Sequence, residues 1–188
     1  MNYLKLVNKK NKVSKDYIPS GLKRVKVKTG GDKKIYLEKR CYKNVKKLLK
    51  VVNKRFKKDN IFVVIDSGYR TYYYQEGLVE KLKQEKQDDY NKTLANPGES
   101  EHQIGLAVDI GFYKNGVYDA NFDVLDYENV FKFIHKVCYQ YGFILRYPLG
   151  KEDLTGYSYE PWHFRYVSMH AKEIYYSDKT LEEYLNSN

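Results

Sequence analysis

Sulfur is scarce in this sequence. Two cysteines, Cys41 and Cys138, stand far apart, neither in a CxxC pair nor beside a candidate ligand. That spacing gives no disulfide framework and leaves two buried free thiols in a reducing compartment as the expectation, rather than a redox or metal role. Long apolar runs are missing as well. No stretch approaches the length of a membrane span. The first twenty positions carry Lys5, Lys9, Lys10, Lys12 and Lys15 and no apolar run longer than two residues, so no secretory signal is expected. With a native N-terminus, that places the protein in the cytoplasm. Internal repeats and low-complexity tracts are absent too. The net charge of +10, from 34 basic and 24 acidic residues, comes with no nucleic-acid motif. Much of it lies in the first 60 positions, where lysines fill what reads as the solvent face of a helix. Nucleic acid is therefore not expected as a partner. At 188 residues the chain is expected to form one domain, 1–188, around a single core.

The patterning that is present alternates between helical and strand periods. Cys41, Val45, Leu48, Leu49, Val52 and Phe56 recur at helical spacing with lysines between them. Ile61 to Ile65 is a short β-branched run ending in Asp66-Ser67-Gly68, a buried strand that delivers Tyr69 and Arg70 at its exit. A second helix is expected from about Tyr72 to Glu85 with Gln75 near its start, then a loop from Asp88 to Glu99 around Asn96-Pro97-Gly98 that suits a lid. Gly105 to Gly111 alternates, with Leu106, Val108 and Ile110 on one face and Gly105, Ala107 and Asp109 on the other. Asn115-Gly116 signals a hairpin into Val117-Tyr118. Val130, Phe133, Ile134, Val137 and Tyr141 form a third helical stripe stopped by Gly142. Phe143 to Tyr147 and Trp162 to Val167 read as strands, and Thr180 with Glu183 reads as a capping box.

Four histidines allow each to be weighed. His135 sits between the apolar positions of its helix and is expected to face solvent, and His170 lies in a polar stretch; neither has a carboxylate at ligand spacing. His102 precedes the small-faced strand that carries Asp109, and His163 closes Glu160-Pro161-Trp162-His163. Asp109, on a strand whose other face is aliphatic, must be paired, metal-bound or protonated; a lysine salt bridge is the competing reading. Two imidazoles, one ligand carboxylate and one spare carboxylate are the parts of a catalytic zinc site, in which three side chains leave a position for water. His102, Asp109 and His163 fit as ligands of one Zn²⁺ per chain, and Glu160 fits as the base. Glu160 and His163, three apart, have opposite strand parity, so a turn at Pro161 is required to bring both to one ion. Arg70 can clamp a substrate carboxylate or an oxyanion, against a structural ion pair. Ser100 and Gln75 are candidate partners of the same carboxylate. Trp162, the one tryptophan, is either core or pocket wall.

The segments Ser67-Gly-Tyr-Arg70, Pro97-Gly-Glu-Ser-Glu-His-Gln-Ile-Gly-Leu-Ala-Val-Asp109, Tyr141-Gly-Phe-Ile-Leu-Arg-Tyr-Pro148 and Gly156-Tyr-Ser-Tyr-Glu-Pro-Trp-His-Phe-Arg-Tyr166 resemble the zinc D-alanyl-D-alanine peptidases of the VanY, VanX and VanXY group and the related L,D-carboxypeptidases. Leu6-Val-Asn-Lys9 with Asp16-Tyr-Ile-Pro19 resembles that family's entry segment. The resemblance implies an α+β fold of the Hedgehog and D,D-peptidase type, a small central antiparallel sheet flanked by helices. It implies zinc on His102, Asp109 and His163, Glu160 as base, and Arg70, Ser100 and Gln75 at the substrate, where Trp162 is a further candidate contact. Length and the Met1 start resemble the cytoplasmic VanXY enzymes, which cleave both D-Ala-D-Ala and the terminal D-Ala of peptidoglycan precursor pentapeptide and so deplete the vancomycin target. A VanY-like carboxypeptidase or an L,D-carboxypeptidase acting on the tetrapeptide is the alternative. A monomer or homodimer is expected.

Overall fold

In the computed structural model, residues 2–85 and 90–187 are described. Positions 88–89 of the expected loop, and the two end residues of the expected domain, lie outside them. Two short strands open the chain, β1 (Leu22–Arg24) and β2 (Tyr36–Glu38), paired antiparallel. Three residues each give too little periodicity to be seen in the sequence. Glu38 then caps α1 (Lys39–Arg55) by accepting the backbone N–H groups of Arg40 and Cys41. Cys41, Val45, Leu48, Leu49 and Val52 of α1 are buried, while Lys43, Lys46, Lys47 and Lys50 are exposed.

The chain continues through β3 (Ile61–Ser67), α2 (Tyr72–Gln84), β4 (Ala107–Lys114), β5 (Val117–Asp119) and α3 (Glu128–Val137). It ends with β6 (Phe143–Leu145), α4 (Glu152–Thr155), β7 (His163–Tyr166), α5 (Ala171–Tyr176) and α6 (Leu181–Asn186). These strands make an antiparallel sheet centred on β4. Strand β3 lies on one side of it; β7 beside its first half and β5 beside its second half lie on the other, with β6 outside β7. Asn115 and Gly116, with φ of 52° and 84°, make the tight turn between β4 and β5.

The alternation in β4 sorts its side chains as the sequence spacing predicts. Val108, Ile110 and Phe112, with Val63, Ile65, Phe164 and Tyr166 of the flanking strands, join the main core against α1 and against Val130, Phe131 and Ile134 of α3. The strand starts at Ala107 rather than Gly105, because Gly105 (φ 70°) caps the 3-10 turn Glu101–Ile104. The third stripe likewise ends as an α-helix at Val137 and passes through a 3-10 turn, Cys138–Tyr141, before Gly142. A smaller cluster of Ile144, Val167, Ala171, Ile174, Leu181 and Tyr184 seats α5 and α6, with the Thr180/Glu183 capping box formed. Both thiols are buried, and burial lifts Cys138 to about 12. No described helix is long and apolar enough to cross a membrane.

Candidate active site

The face of the sheet away from α1 and α3 carries Asp109 and His163. Strand pairing sets them opposite each other, and an irregularity after Ile65 brings Ser67 opposite Asp109 from the other side. The turn Glu101–Ile104 then lays His102 against this row. One ligand atom from each of His102, Asp109 and His163 lies within 4.8 Å of the other two. His102 Nε2 is 3.1 Å from Asp109 Oδ2, and His163 Nδ1 is 2.9 Å from Asp109 Oδ1. The second contact lacks hydrogen-bond alignment, leaving buried Oδ1 without a partner. Lone-pair atoms that face each other this closely without a bond are what a shared cation resolves. The opposite nitrogen of His102, Nδ1, meets the carbonyl of Gly68 at 2.6 Å, which orients Nε2 inward. Nitrogen and oxygen donors in this number fit zinc.

Glu160 reaches the same place because the chain does turn at Pro161. The N–H of His163 donates to the Glu160 carbonyl at 3.1 Å, and the Glu160 carboxylate stands 3.6 Å from His163 Nδ1. His135 fastens this turn from behind: its Nε2 lies 3.0 Å from the Pro161 carbonyl. That corrects the solvent-facing expectation for His135, which is half-buried because α3 packs against the turn. His170 instead meets the Tyr184 hydroxyl, away from the site.

Charge is finely divided here. Burial, with the Asp109 carboxylate adding to it and His163 and Arg70 opposing, lifts Glu160 to about 7. Burial and the Arg70 guanidinium depress His102 to about 4 against the pull of Asp109. Burial also works against a charge on His163, yet the facing carboxylates of Asp109, Glu101 and Glu160 outweigh it and raise this ring to about 9.

Arg70 follows β3 and points into the site. Its Nη2 donates to Asp109 Oδ2 at 2.6 Å, Nε to Ser67 Oγ at 2.9 Å and Nη1 to Gln75 Oε1 at 3.3 Å. Asp109 is therefore paired to an arginine and not to a lysine. Gln75 holds the loop as well, donating to the Ala95 carbonyl at 2.7 Å. Ser100 caps the 3-10 turn by accepting the His102 N–H. Trp162 proves to be both wall and core: it lines the cleft and packs against the main cluster. The cleft, about 400 Å³ with its open mouth, brings Arg70, Gln75, Ser100, His102, Asp109, Glu160, Trp162 and His163 together with Thr93, Leu94, Ala95, Tyr147 and Tyr157. The Tyr157 hydroxyl is buried without a partner.

Sequence reasoning passed over the neighbouring charges. Glu101, Arg146 and Arg165 are fully buried, and Arg146 also binds Glu182 of α6. Burial opposes a charge on Glu101, but the two guanidiniums hold its carboxyl well below the usual carboxylate range. Their signal was charge inside otherwise apolar strand segments, Phe-Ile-Leu-Arg146 and His-Phe-Arg165-Tyr.

Comparison with known proteins draws on a family model, curated relatives and solved structures. Residues 34–169 match the sequence model of the VanY family, D-alanyl-D-alanine carboxypeptidase. The bifunctional D-Ala-D-Ala dipeptidase and D-Ala-D-Ala carboxypeptidase VanXYC of Enterococcus gallinarum is 37% identical over 186 residues, 98% of this chain and 94% of that protein. Among solved structures, the LdcB LD-carboxypeptidase superposes with a TM-score of 0.81 at 37% identity, over 96% of this chain and 84% of that one. A variant of the vancomycin resistance D,D-pentapeptidase VanY in complex with Zn(II) superposes with a TM-score of 0.76 at 31% identity, over 99% and 100%. Other curated carboxypeptidases are longer, and the chain spans 67% and 49% of two of them.

Proposed function

The chain belongs to the VanY family of D-alanyl-D-alanine carboxypeptidases and is a peptidase with that group's α+β fold; from this premise we propose that residues 1–188 form one zinc-dependent catalytic domain cleaving both D-Ala-D-Ala and the C-terminal D-Ala of peptidoglycan precursor pentapeptide. The observation that carries the reading is the convergence of His102, Asp109 and His163 with a fourth carboxylate, Glu160, beside them. The near-full-length likeness to VanXYC supports the two-substrate form.

His102, Asp109 and His163 would hold one Zn²⁺, which supplies a water of lowered pKa and polarises the scissile carbonyl. Glu160 takes the proton of the attacking water on its carboxylate and returns it to the departing D-alanine amine, a task suited to a carboxylate that burial makes a stronger proton acceptor. Arg70, braced by Ser67 and Gln75, presents its fork to the substrate's terminal carboxylate and so selects a chain end over an internal bond. Ser100 adds a hydroxyl at the same carboxylate, and Trp162 closes one wall of the cleft and shields the reacting bond from bulk water.

A second reading, L,D-carboxypeptidase action on the tetrapeptide, draws support from the likeness to LdcB. D-Alanine release by the zinc-loaded protein from D-Ala-D-Ala, a muramyl pentapeptide and the tetrapeptide lacking the last D-Ala separates the readings. Cleavage of the first two is expected. Cleavage of pentapeptide alone would leave a VanY-like carboxypeptidase, and of tetrapeptide alone an L,D-carboxypeptidase.

A further inference from the structure

Glu101 precedes His102 directly yet has no part in the chemistry above. Its Oε1 accepts Nε of Arg146 and Nη1 of Arg165, each at 2.7 Å. Its Oε2 is buried and has no hydrogen-bond partner. The nitrogen of His163 that faces away from Asp109, Nε2, is also buried and without a partner, and it stands 3.9 Å from Oε2. That separation is longer than a hydrogen bond and too short for a bridging water. An acceptor and a ring nitrogen left alone side by side each carry a desolvation cost that a small rotation of the imidazole removes.

The geometry points to Glu101 as a positioning residue: its Oε2 receives the Nε2–H of His163, which fixes the ring with Nδ1 unprotonated and turned toward His102 and Asp109. The inference rests on the reading of those three residues as zinc ligands. A carboxylate behind a ligand imidazole sets both its tautomer and its orientation, and losing one weakens metal binding about 10- to 100-fold.

What holds Glu101 comes from both ends of the chain. Arg165 also donates through Nη2 to the carbonyls of Tyr3 and Lys5, at 3.0 and 2.8 Å. Arg146 grips both carboxylate oxygens of Glu182 on α6, at 2.8 and 2.6 Å, and Asn8 donates to the same carboxylate at 3.1 Å. The N-terminal strap and the last helix therefore meet at the back of a metal ligand, and their packing is transmitted to the site through one carboxylate.

The test uses the full chain loaded with zinc and labelled with ¹⁵N-histidine. His163 is expected to be zinc-bound through Nδ1, with an Nε2–H that is visible by NMR and slow to exchange. In Glu101→Gln, chelator competition is expected to show a zinc dissociation constant raised about 10- to 100-fold, with faster exchange of that proton. A purely structural Glu101 would lower thermal stability and leave both readouts alone. The inference is overturned if His163 binds through Nε2, if the wild-type Nε2–H exchanges as fast as a solvent-open imidazole, or if a folded Glu101→Gln keeps wild-type zinc affinity. The wild-type spectrum decides the matter even where the variant does not fold. A wild-type protein that takes up no zinc overturns this inference and the ligand reading together; one that binds zinc but fails these measurements overturns this inference alone.

Discussion

Two charged clusters share one face of the sheet, one residue apart in sequence at one point and two apart at another. Glu101 belongs to one and His102 to the other; on β7, Arg165 belongs to the first and His163 to the second. In the first, Glu101 lies between Arg146 and Arg165 with every side chain shut off from solvent, and Arg146 passes its remaining donors to Glu182. In the second, two imidazoles, Asp109, Glu160 and Arg70 crowd around a cleft. There, the buried Asp109 Oδ1 and His163 Nε2 have no hydrogen-bond partner. In the first cluster two guanidiniums meet one oxygen of Glu101, and only its other oxygen, Oε2, is left without a partner. In the second, Arg70 pairs with Asp109 Oδ2, yet ligand atoms of His102, Asp109 and His163 still converge on one another. Similar residue types thus serve structure where guanidiniums enclose a carboxylate, and chemistry where ligand atoms converge beside a cleft.

The largest effect is expected from removing the group that the second cluster leaves over. Glu160→Gln should keep bound zinc, read by metal analysis, and lose about 10³-fold or more in turnover. Retained turnover would end its assignment as the base. Breaking the first cluster should act on stability instead: Arg165→Met leaves Glu101 with a single partner, which is expected to cost about 4 kcal/mol, or roughly 10 °C in Tm. Calorimetry showing no loss would mean the network is dispensable. Arg70→Lys keeps the charge of the open cluster but removes its fork, so kcat/KM for peptides with a free terminal carboxylate should fall about 10²-fold. An equal fall for a peptide amide would remove the carboxylate clamp from its role.

The smallest effect is a pH dependence confined to the open cluster. In the metal-free protein, His163 at about 9 and Glu160 at about 7 both bind protons more tightly than when unfolded. Raised folded values stabilise at low pH, and that stability is lost as pH climbs through them. His102, depressed to about 4, acts in the opposite sense but only below its unfolded value of 6.5. Between pH 7 and 9 the His163 contribution therefore decides, and Tm of the metal-free protein should fall by several degrees. Zinc should reverse the slope, since its ligands bind deprotonated and its affinity rises with pH. A scan of Tm against pH with and without metal reads both.

Much of this was legible in the chain. Helices α1 and α3 announced themselves by period, with lysines marking the outer face of α1, and the alternation at Val108, Asp109 and Ile110 told which side of β4 faces the core. The requirement for a turn at Pro161 followed from the opposite parity of Glu160 and His163. Gly105 was misread as strand because a single residue in a left-handed conformation leaves no periodic trace. His135 was misread because its place between apolar positions says which side of the helix it takes, not what packs there. Glu101, Arg146 and Arg165 were overlooked because each reads as an ordinary charge until all three meet, from positions as far apart as 45 and 64 residues.

By itself, then, the sequence determined the local matters: which segments coil or extend, which face of each is apolar, and which side chains have the chemistry to bind a metal, take a proton or grip a carboxylate. Those properties depend on residue type and on neighbours a few positions away. Only the tertiary structure decided which charges are neutralised and which are left open, because that depends on distances between residues brought together from different strands, turns and chain ends. His102 and His163 carry the same ring. Burial beside Arg70 drives one down to about 4, and facing carboxylates lift the other to about 9.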